Sequence, residues 1–526
     1  MNWKQVVFSC ALGSCVASSA ASGQAEDRAV RPPNVLFIVC DDLNDYVEGY
    51  GSHPQTVTPN LARLAESSVT FLRAYSNQPV CAPSRASFLT GIYPHRSGKL
   101  FWTPWFQNTA LSNSHTLMSY FREHGYHTAG TGKLMHHFRR AEWAEFKNQA
   151  DYGPFVSDGE KRMALPTVPG PFRSIGPVDG SYGRFSDLAR AEDPSLSWVY
   201  GHPWGANRPF RYVDDDDRDL APDEMNAQWA AGKIAQWAQE ERTEPFFLAV
   251  GFIRPHTPLH APDRFFDMFP LDEIQLPPLP EGDAEDTHFR NVIDESHKGL
   301  RYYRTLKASY PTIEDGLRVF IQAYLASTAF VDEQIGVVLD ALDNSPFRDN
   351  TIVVVTSDHG FHMGEKEYLF KGSPWERSTR VPLIIRAPGV AVHGARAGHP
   401  VALIDLYPTL IDLCGIEGDN RKNEEGLPLD GFSMRPFLAD PAHGQWDGPE
   451  GALSMIFAGA ESRPDIYKQH WSLRTRQWRY ILYNNGAEEL YDHQNDPHEW
   501  HNLAGQVEYE TVRTELRDQL MGMLEE

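Results

Sequence analysis

The sequence predicts an α/β fold, in which a large sheet is enclosed by helices, followed by a smaller α+β subdomain at the C-terminus. Apolar runs of strand length alternate with helical segments from residue 34 to residue 415, the pattern of strands buried on both faces. From about residue 440, short strands and tight turns replace this alternation, and a helix closes the chain near 508–525. We therefore expect a main domain over 30–440 and a subdomain over 441–526.

The strands and helices of the main domain follow from the spacing of apolar residues. "NVLFIVC" (34–40), "HTAGTGK" (127–133), "PFFLAVGF" (245–252), "TIVVVTSDHG" (351–360) and "RVPLIIRAPG" (380–389) predict strands. Helical spacing occurs in 59–71, 222–242 and 319–342, and 401–415 continues the strand–helix alternation. Residues 137–220 are rich in Pro, Gly and Asp, which predicts a long excursion of loops that helps to shape a substrate site.

Length and charge limit the classes of function. A chain of 526 residues with 41% hydrophobic and 23% charged residues is typical of a globular protein with one large and one small domain. The balance of 48 basic and 71 acidic residues gives a net charge of −23, which argues against nucleic acid and anionic membranes as partners. A polyanionic substrate would therefore need a local cluster of basic side chains.

Residues 1–25 read as a cleavable secretory signal, because Lys4 precedes an apolar core and then small residues. This predicts an exported protein, periplasmic or secreted; the alternative is an ordinary helix. "LGSC", ending at Cys15, is a poor match to a lipoprotein processing site, which argues against a lipid anchor. No later segment has the roughly 18 unbroken apolar residues that a membrane span requires.

After removal of the signal the chain would keep three cysteines, an odd number without paired spacing, so no disulfide framework is expected. Cys40 and Cys414 lie in apolar segments and are predicted to be buried. Cys81 differs, because polar and turn-forming residues surround it in "SNQPVCAPSRASFLTG".

Polar side chains follow three of the predicted strands: Asp41 and Asp42, His256, and Asp358 with His359. Ligands of open α/β sheets bind beyond the carboxyl ends of the strands, and three carboxylates there favour a hard divalent cation, Ca²⁺ before Mg²⁺. The alternative is that Asp41 and Asp42 cap the next helix. His359 suits zinc better, but no HExxH motif or Cys/His cluster accompanies it, so calcium is retained.

The segment "CAPSRASFLTG" (81–91) resembles the C-x-P-S-R-x-x-x-L-T-G signature of the type I sulfatases. Further blocks between residues 34 and 504 resemble that family in the same order. "GKLMH" (132–136), "RPH" (254–256) and "SDHG" (357–360), with Lys371 thirteen residues past Asp358, look most like the iduronate-2-sulfatase branch. The resemblance implies an alkaline-phosphatase-like fold, in which a large mixed sheet lies between helices.

The resemblance also implies a set of site residues. A dedicated formylglycine-generating enzyme would oxidise Cys81 to formylglycine during export, and the hydrated aldehyde would be the nucleophile. One calcium ion would be held by Asp41, Asp42, Asp358, His359 and the oxidised Cys81. Arg85 would anchor the hydrate, and the sulfate would be surrounded by Lys133, His136, His256 and Lys371. Either His256 or Lys371 would protonate the leaving oxygen, and the choice of His136 over its neighbour His137 depends on the spacing from Lys133.

The implied activity is hydrolysis of a sulfate ester on a sulfated oligo- or polysaccharide. The branch suggests a 2-O-sulfated uronic acid of a glycosaminoglycan or of a marine polysaccharide such as ulvan. Alternatives are another sulfated glycan, such as a carrageenan-type galactan, a formylglycine-dependent phosphodiesterase or phosphonate hydrolase, and an inactive glycan-binding protein. Loops near 100–125, 137–220 and 455–475 would select the sugar. His260 and His362 are either further substrate contacts or polar loop residues, and Arg254, where this branch often has lysine, keeps the charge but would change the sugar contacts.

Overall fold

The computed structural model describes residues 31–459, 465 and 468–525. The predicted signal over 1–25, with Cys10 and Cys15, lies outside these residues. So do positions 460–464 and 466–467, which belong to the segment expected to contact the sugar.

A nine-stranded mixed sheet forms the centre of the main domain. Its strands are β1 (Asn34–Asp41), β2 (Val69–Tyr75), β3 (His127–Gly132), β4 (Glu145–Phe146), β5 (Phe246–Pro255), β6 (Thr351–Ser357), β7 (Arg380–Arg386), β8 (Ala395–Ala397) and β9 (Val401–Ala402). Their order is β8-β2-β7-β6-β1-β5-β3-β4, with β9 also pairing with β2. Strands β6, β1, β5, β3 and β4 are parallel, whereas β7 is antiparallel to both of its neighbours. The predicted strands are therefore confirmed, and the carboxyl ends of β1, β3, β5 and β6 meet at one edge.

Helices cover both faces of this sheet. The longer ones are α1 (Pro59–Glu66), α2 (Cys81–Thr90), α3 (Leu117–Glu123), α4 (Pro222–Gln239), α5 (Lys298–Lys307), α6 (Ile313–Asp343) and α7 (Leu406–Leu413). Short helices occupy Pro94–Ser97, Thr109–Ser112, Gly170–Arg173, Asp263–Asp267, Phe289–Val292, Glu376–Thr379 and Arg435–Ala439. Strand β1 explains the layering, because alternate side chains enter different cores: Phe37 packs on the side of α2, α3 and α7, whereas Ile38 packs on the side of α1, α4 and α6.

Two stretches differ from the sequence-based expectation. The apparent helix over 59–71 ends at Glu66, and β2 begins at Val69, because the β-branched and aromatic residues there continue the sheet. The excursion over 137–220 is not only loops. It contains a three-stranded sheet of Phe155–Ser157, Arg162–Met163 and Ser197–Val199, and Tyr182–Arg184 pairs with Leu259–Ala261.

The C-terminal part contains a four-stranded antiparallel sheet and a closing helix, as predicted. The strands are β10 (Gly451–Ile456), β11 (His470–Thr475), β12 (Trp478–Leu482) and β13 (Glu488–Asp492), and the helix is α8 (Glu510–Glu525). The predicted boundary at 440/441 lies between the helix Arg435–Ala439 and β10 and stays a prediction. Within the described residues, no helix is long and apolar enough to cross a membrane.

Candidate active site

Four parallel strands deliver charged side chains to one edge of the sheet. Asp41 ends β1 and Asp42 follows it, Lys133 follows β3, His256 follows β5, and Asp358 and His359 follow β6. All of these residues are at least 90% buried. Because buried charges are costly unless they are paired or coordinate an ion, their convergence at one edge indicates a functional centre.

Cys81 occupies the first position of α2 and is 1% exposed. Its Sγ lies 3.2 Å from His359 Nε2, 3.0 Å from Lys371 Nζ and 3.8 Å from Asp42 Oδ1. Burial raises the pKa of the Cys81 thiol, with the Asp41 carboxylate acting in the same direction. The residue therefore faces the charged centre as a neutral thiol, which is a poor nucleophile in this form.

Arg85, one turn further along α2, joins the strand ends. Its Nε donates to Asp358 Oδ2 at 2.8 Å, and its Nη2 donates to Asp41 Oδ1 at 3.2 Å. Its Nη1 donates to the main-chain oxygens of Lys133 and Leu134. The guanidinium is 1% exposed, so the fixed donor geometry of arginine locks α2 against three strands.

Two lysines complete the cationic side of the centre. Lys133 Nζ forms an ion pair with Asp41 Oδ2 and lies 4.9 Å from the centre of the Tyr152 ring. Lys371 reaches in from the loop after the short hairpin His362–Met363 and Leu369–Phe370, and its Nζ donates to Asp42 Oδ1 at 2.6 Å. Burial alone would lower the pKa of both amines, but the acidic groups around them, led by Asp41 for Lys133 and Asp42 for Lys371, together outweigh it and raise the pKa, so both carry a positive charge.

Main-chain carbonyls fix the orientation of two histidines. His359 Nδ1 lies 3.0 Å from the Gly360 oxygen, and His256 Nδ1 lies 2.6 Å from the Thr257 oxygen. A carbonyl oxygen only accepts, so the Nδ1–H groups donate there, and each neutral ring turns its Nε2 lone pair into the space between the carboxylates, where a cation can bind to it. His359 Nε2 lies 3.4 Å from Asp42 Oδ1, and His256 Nε2 lies 3.8 Å from Asp42 Oδ2.

The centre contains donor atoms that suit a hard cation. Ligand atoms of Asp41, Cys81, Asp358 and His359 all lie within 4.8 Å of one another, and so do those of Asp41, Asp42, Cys81 and His256. Asp42 Oδ2 is buried without a hydrogen-bond partner, and the backbone of Asp42 has a positive φ of 63°. An unpaired buried carboxylate oxygen on a strained backbone is explained when that oxygen ligates an ion.

A pocket of about 360 Å³ opens above Cys81. It is lined by Cys81, Trp102, His136, Tyr152, Val178, Asp179, Trp204, His256, Lys298, Phe370 and Lys371. His136 is therefore on the pocket wall, and burial together with Lys133 lowers the pKa of its imidazole to about 2, which keeps the ring neutral. His137 does not line this pocket.

Three expected sugar contacts are instead internal. Arg254 is buried and donates to the main-chain oxygens of Gly153, His256 and His260, which holds the turn that carries His256. His260 lies 2.8 Å from Ser181 Oγ, and His362 lies 2.7 Å from Ser373 Oγ, both inside the protein. All three residues lie in strands, support the fold and do not line the pocket.

Several lining residues had no signal in the sequence. Tyr152, Asp179 and Trp204 come from the excursion, which had been assigned to the substrate site only as a whole, and Lys298 begins α5. Asp179 accepts hydrogen bonds from Thr257 Oγ1 at 2.9 Å and Tyr302 Oη at 2.8 Å. Aromatic residues in a stretch rich in Pro and Gly are the only hint in the sequence, and they do not single out these positions.

A family model described as "Sulfatase" matches residues 33–416, which is more than half of the chain. The chain belongs to the sulfatase family. A model described as "N-sulphoglucosamine sulphohydrolase, C-terminal" matches residues 364–526 of this sulfatase. The sulfatase is 32% identical to a protein named "Sulfatase" from Formosa agariphila, over 95% of this chain and 89% of the relative. It is 28% identical to iduronate 2-sulfatase from Mus musculus, over 98% of each chain.

As a sulfatase, the protein is a sulfuric ester hydrolase. Its fold resembles that of a phosphonate monoester hydrolase from Silicibacter pomeroyi, with a TM-score of 0.69 at 23% identity over 93% of this chain and 94% of the other. The alkaline-phosphatase-like sheet and the C-terminal antiparallel subdomain are thus confirmed, and at this level of identity the likeness concerns the fold alone.

Proposed function

We propose that the sulfatase acts through a formylglycine made from Cys81 by a formylglycine-generating enzyme during export. The observation that carries the proposal is the position of Cys81: it begins α2 at the base of the pocket, between His359 Nε2 and Lys371 Nζ. As a thiol with a raised pKa it has no evident catalytic use. After conversion, the hydrated aldehyde would supply a hydroxyl for attack on sulfur and a second hydroxyl whose ionisation would expel the sulfate.

The proposed metal is one Ca²⁺ held by Asp41, Asp42, Asp358, His359 and the modified residue 81. The orphaned Asp42 Oδ2 and the convergent carboxylates support a hard cation with oxygen ligands. Bound there, the ion would supply Lewis acidity to the sulfate oxygens and to the attacking hydroxyl.

The charge balance supports this assignment. A bound cation would keep Asp42 ionised. Three carboxylates, Asp41, Asp42 and Asp358, would then face three cations, Arg85, Lys133 and Lys371, so the side chains would neutralise one another. A sulfate monoester brings one negative charge, and loss of the proton from the attacking hydroxyl adds a second one, which passes to the leaving oxygen until the general acid protonates it. A divalent cation held by these carboxylates would offset both charges in the transition state, which is where stabilisation accelerates the reaction.

Side chains of the protein position residue 81, contact the sulfate and supply the proton to the leaving group. Arg85 holds α2, and thus residue 81, at the edge of the sheet. His136 lines the pocket in which the sulfate oxygens would lie, whereas Lys133 lies behind the pocket wall, paired with Asp41 and 4.9 Å from the centre of the Tyr152 ring. The leaving oxygen would take its proton from Lys371, whose amine is charged and lines the pocket. His256 also lines the pocket and is the alternative donor, but burial lowers the pKa of its imidazole, so its Nε2 would first have to gain a proton.

For the substrate we propose a sulfated carbohydrate, with a 2-O-sulfated uronic acid as the specific candidate. The iduronate 2-sulfatase relative covers nearly the whole chain. The pocket wall also carries Lys298, a cation separate from Arg85, Lys133 and Lys371 at the centre. A uronic acid sulfate carries two anionic groups, so it needs cations at two places. Other sulfated glycans, including carrageenan-type galactans, remain alternatives within the same mechanism.

Co-expression with a formylglycine-generating enzyme, followed by mass analysis of residue 81, prepares the protein for the test. Sulfate release is then measured on uronate 2-O-sulfates, hexosamine 6-O-sulfates, sulfated galactans and choline sulfate. Release from uronate 2-O-sulfates alone supports the specific substrate. Release from another member keeps the mechanism and overturns the substrate.

A second candidate is hydrolysis of a phosphonate or phosphodiester, because a phosphonate monoester hydrolase shares the fold. One phosphodiester in the same panel tests it: cleavage of this compound without sulfate release would overturn the proposed function. An inactive glycan-binding protein is disfavoured, because every predicted position of the site is occupied by a residue able to act.

A further inference from the structure

Two tryptophans are unusually exposed, and both line the pocket above Cys81. Trp204 is 60% exposed and Trp102 is 38% exposed. No other tryptophan in 31–459 or 468–525 is exposed to this degree. Leaving a large apolar ring in water has a cost that burial would remove, so an exposed tryptophan inside a concave site marks a surface that a ligand covers.

The loop that carries Trp204 is held in place before any ligand arrives. Arg162 Nη2 donates to three main-chain oxygens of this loop, those of Tyr200 at 3.1 Å, Pro203 at 3.3 Å and Ala206 at 2.8 Å. The Arg162 guanidinium also lies 4.9 Å from the centre of the Trp204 ring. The ring is therefore presented by a fixed support, which lowers the entropy cost of stacking a ligand on it.

Trp204 is connected to the reaction centre through aromatic contacts. Its ring lies 6.2 Å from Tyr152, and Tyr152 lies 5.0 Å from His256. Trp102 borders a different part of the pocket, with its ring 4.7 Å from His136. A molecule whose sulfate reaches the centre thus meets indole rings from two parts of the wall.

We propose that Trp204 is the stacking platform for the sugar ring that carries the scissile sulfate, and that the pocket takes a single ring from the end of a chain. This rests on the proposed function and adds to it the mode of recognition. A pocket of about 360 Å³ lies near the lower end of the range for small-molecule sites, which suits one ring better than a stretch of polymer. The apolar face of a pyranose covers an indole while its hydroxyl groups stay free for polar partners such as Asp179.

The test compares converted wild type with Trp204→Ala and Trp204→Phe. The substrates are a sulfated sugar that the wild type hydrolyses and methyl sulfate, which has no ring. Trp204→Ala should raise KM for the sugar by about three- to tenfold, the value of one stacking contact, with kcat little changed. Turnover of methyl sulfate should not change. The KM of Trp204→Phe for the sugar should lie between that of the wild type and that of Trp204→Ala.

The matched control is Trp500→Ala, a C-terminal tryptophan stacked on His498 at 4.7 Å and away from the pocket. A binding measurement on the Cys81→Ala protein removes turnover: the sulfated sugar should change tryptophan fluorescence, and Trp204→Ala in that background should weaken the binding.

An unchanged KM in Trp204→Ala, or an equal loss with methyl sulfate, would overturn the platform. Equal rates on internal and terminal sulfates of one oligosaccharide would overturn the single-ring pocket. Absence of sulfate release by the wild type would instead count against the proposed function.

Discussion

At the scale of single residues, Asp42 combines an unfavourable backbone conformation with an unsatisfied buried charge-bearing atom. Its backbone has a positive φ, and one of its carboxylate oxygens is buried without a partner. Burial raises its pKa to about 8, although Lys371 lies at hydrogen-bond distance. Strain and missing hydrogen bonds are concentrated at functional sites, and the proposed cation would explain both here.

Asp42→Asn should abolish stabilisation by calcium. In wild type stripped with a chelator, added Ca²⁺ at a hundred times its Kd should stabilise the fold by about 2.7 kcal/mol and raise Tm. Asparagine tolerates a positive φ, so the variant should fold, but it lacks the ligand charge. Thermal unfolding with and without Ca²⁺ measures this, with exposed Asp193→Asn as the control. If added Ca²⁺ leaves the Tm of the wild type unchanged, the metal assignment is contradicted.

Lys298→Ala should affect only substrates that carry a carboxylate. Its amine lies 3.6 Å from Asp179 on the pocket wall, and its side chain is 66% exposed. Removing it should raise KM for a uronate 2-O-sulfate by roughly tenfold, typical for a charged hydrogen bond, and leave a neutral sulfated sugar unchanged. Lys298→Arg should retain affinity, and exposed Lys161→Ala is the control. Equal effects on both substrates would argue against carboxylate recognition.

The sequence located the residues of the centre well and those of the pocket wall poorly. Asp41, Asp358 and His256 directly follow apolar strands, so a local pattern is enough to place them together. Tyr152 and Trp204 reach the pocket through a stretch without periodicity, and their positions depend on contacts distant in sequence. No local signal could reveal them.

At the scale of elements, the approach of β3 to β5 positions Lys133. Gly132 has φ +79°, and a Cβ there would lie 1.9 Å from the Gly251 oxygen. Only glycine allows this approach, and the Lys133 amide then donates to the same oxygen at 2.8 Å. The glycine-marked turn predicted at this point therefore has a definite packing reason.

Gly132→Ala should disturb this approach. The clash with backbone and the positive φ together should lower the free energy of unfolding by on the order of 2 kcal/mol or more. Urea denaturation measures the loss. Gly159→Ala is the control: Gly159 has φ +92° and open space around it, so this variant measures the cost of the positive φ without a clash. A loss no greater than in the control would show that the close approach is not a constraint.

Element prediction succeeded where the apolar signal was long. Strands β1, β5 and β6 are continuous apolar runs and were predicted within a few residues. The short strands Arg162–Met163 and Phe155–Ser157 were missed, because two or three residues carry no periodicity and their pairing is set by tertiary contacts.

At the scale of the whole molecule, a buried ionic network joins the C-terminal sheet to the main domain. Glu376, in a short helix beside β7, accepts from Arg474 of β11 and Arg479 of β12. Arg479 also pairs with Glu499, which lies 2.9 Å from His493 Nε2. Arg479 also donates to the main-chain oxygen of Pro374 at 3.0 Å, three residues past Lys371, so docking of the subdomain helps to support the site.

Because of this ionic network, the contact between the C-terminal sheet and the main domain should become less stable at acid pH. Burial alone would raise the pKa of Glu499, but Arg479 and His493 outweigh it and lower the pKa to about 2. Because this value lies below that of an unfolded glutamate, the contribution is complete above about pH 4.5 and is lost as the pH falls toward 2. Urea denaturation from pH 7 to pH 3 should show this loss.

Glu499→Gln is the matched variant. It should cost about 3–5 kcal/mol at pH 7, because Arg479 keeps a buried charge with one partner fewer. Its stability should also fall less steeply with acid than that of the wild type. Parallel pH profiles for the two proteins would contradict the proposed role of Glu499.

The central claim concerns Cys81, and sulfate release as a function of its conversion tests that claim most directly. Wild type would be prepared with different fractions of formylglycine at position 81, measured by mass, beside Cys81→Ala treated in the same way. The account predicts that sulfate release rises in proportion to the converted fraction and is absent in Cys81→Ala. Release by unconverted protein or by Cys81→Ala at a comparable rate would contradict it.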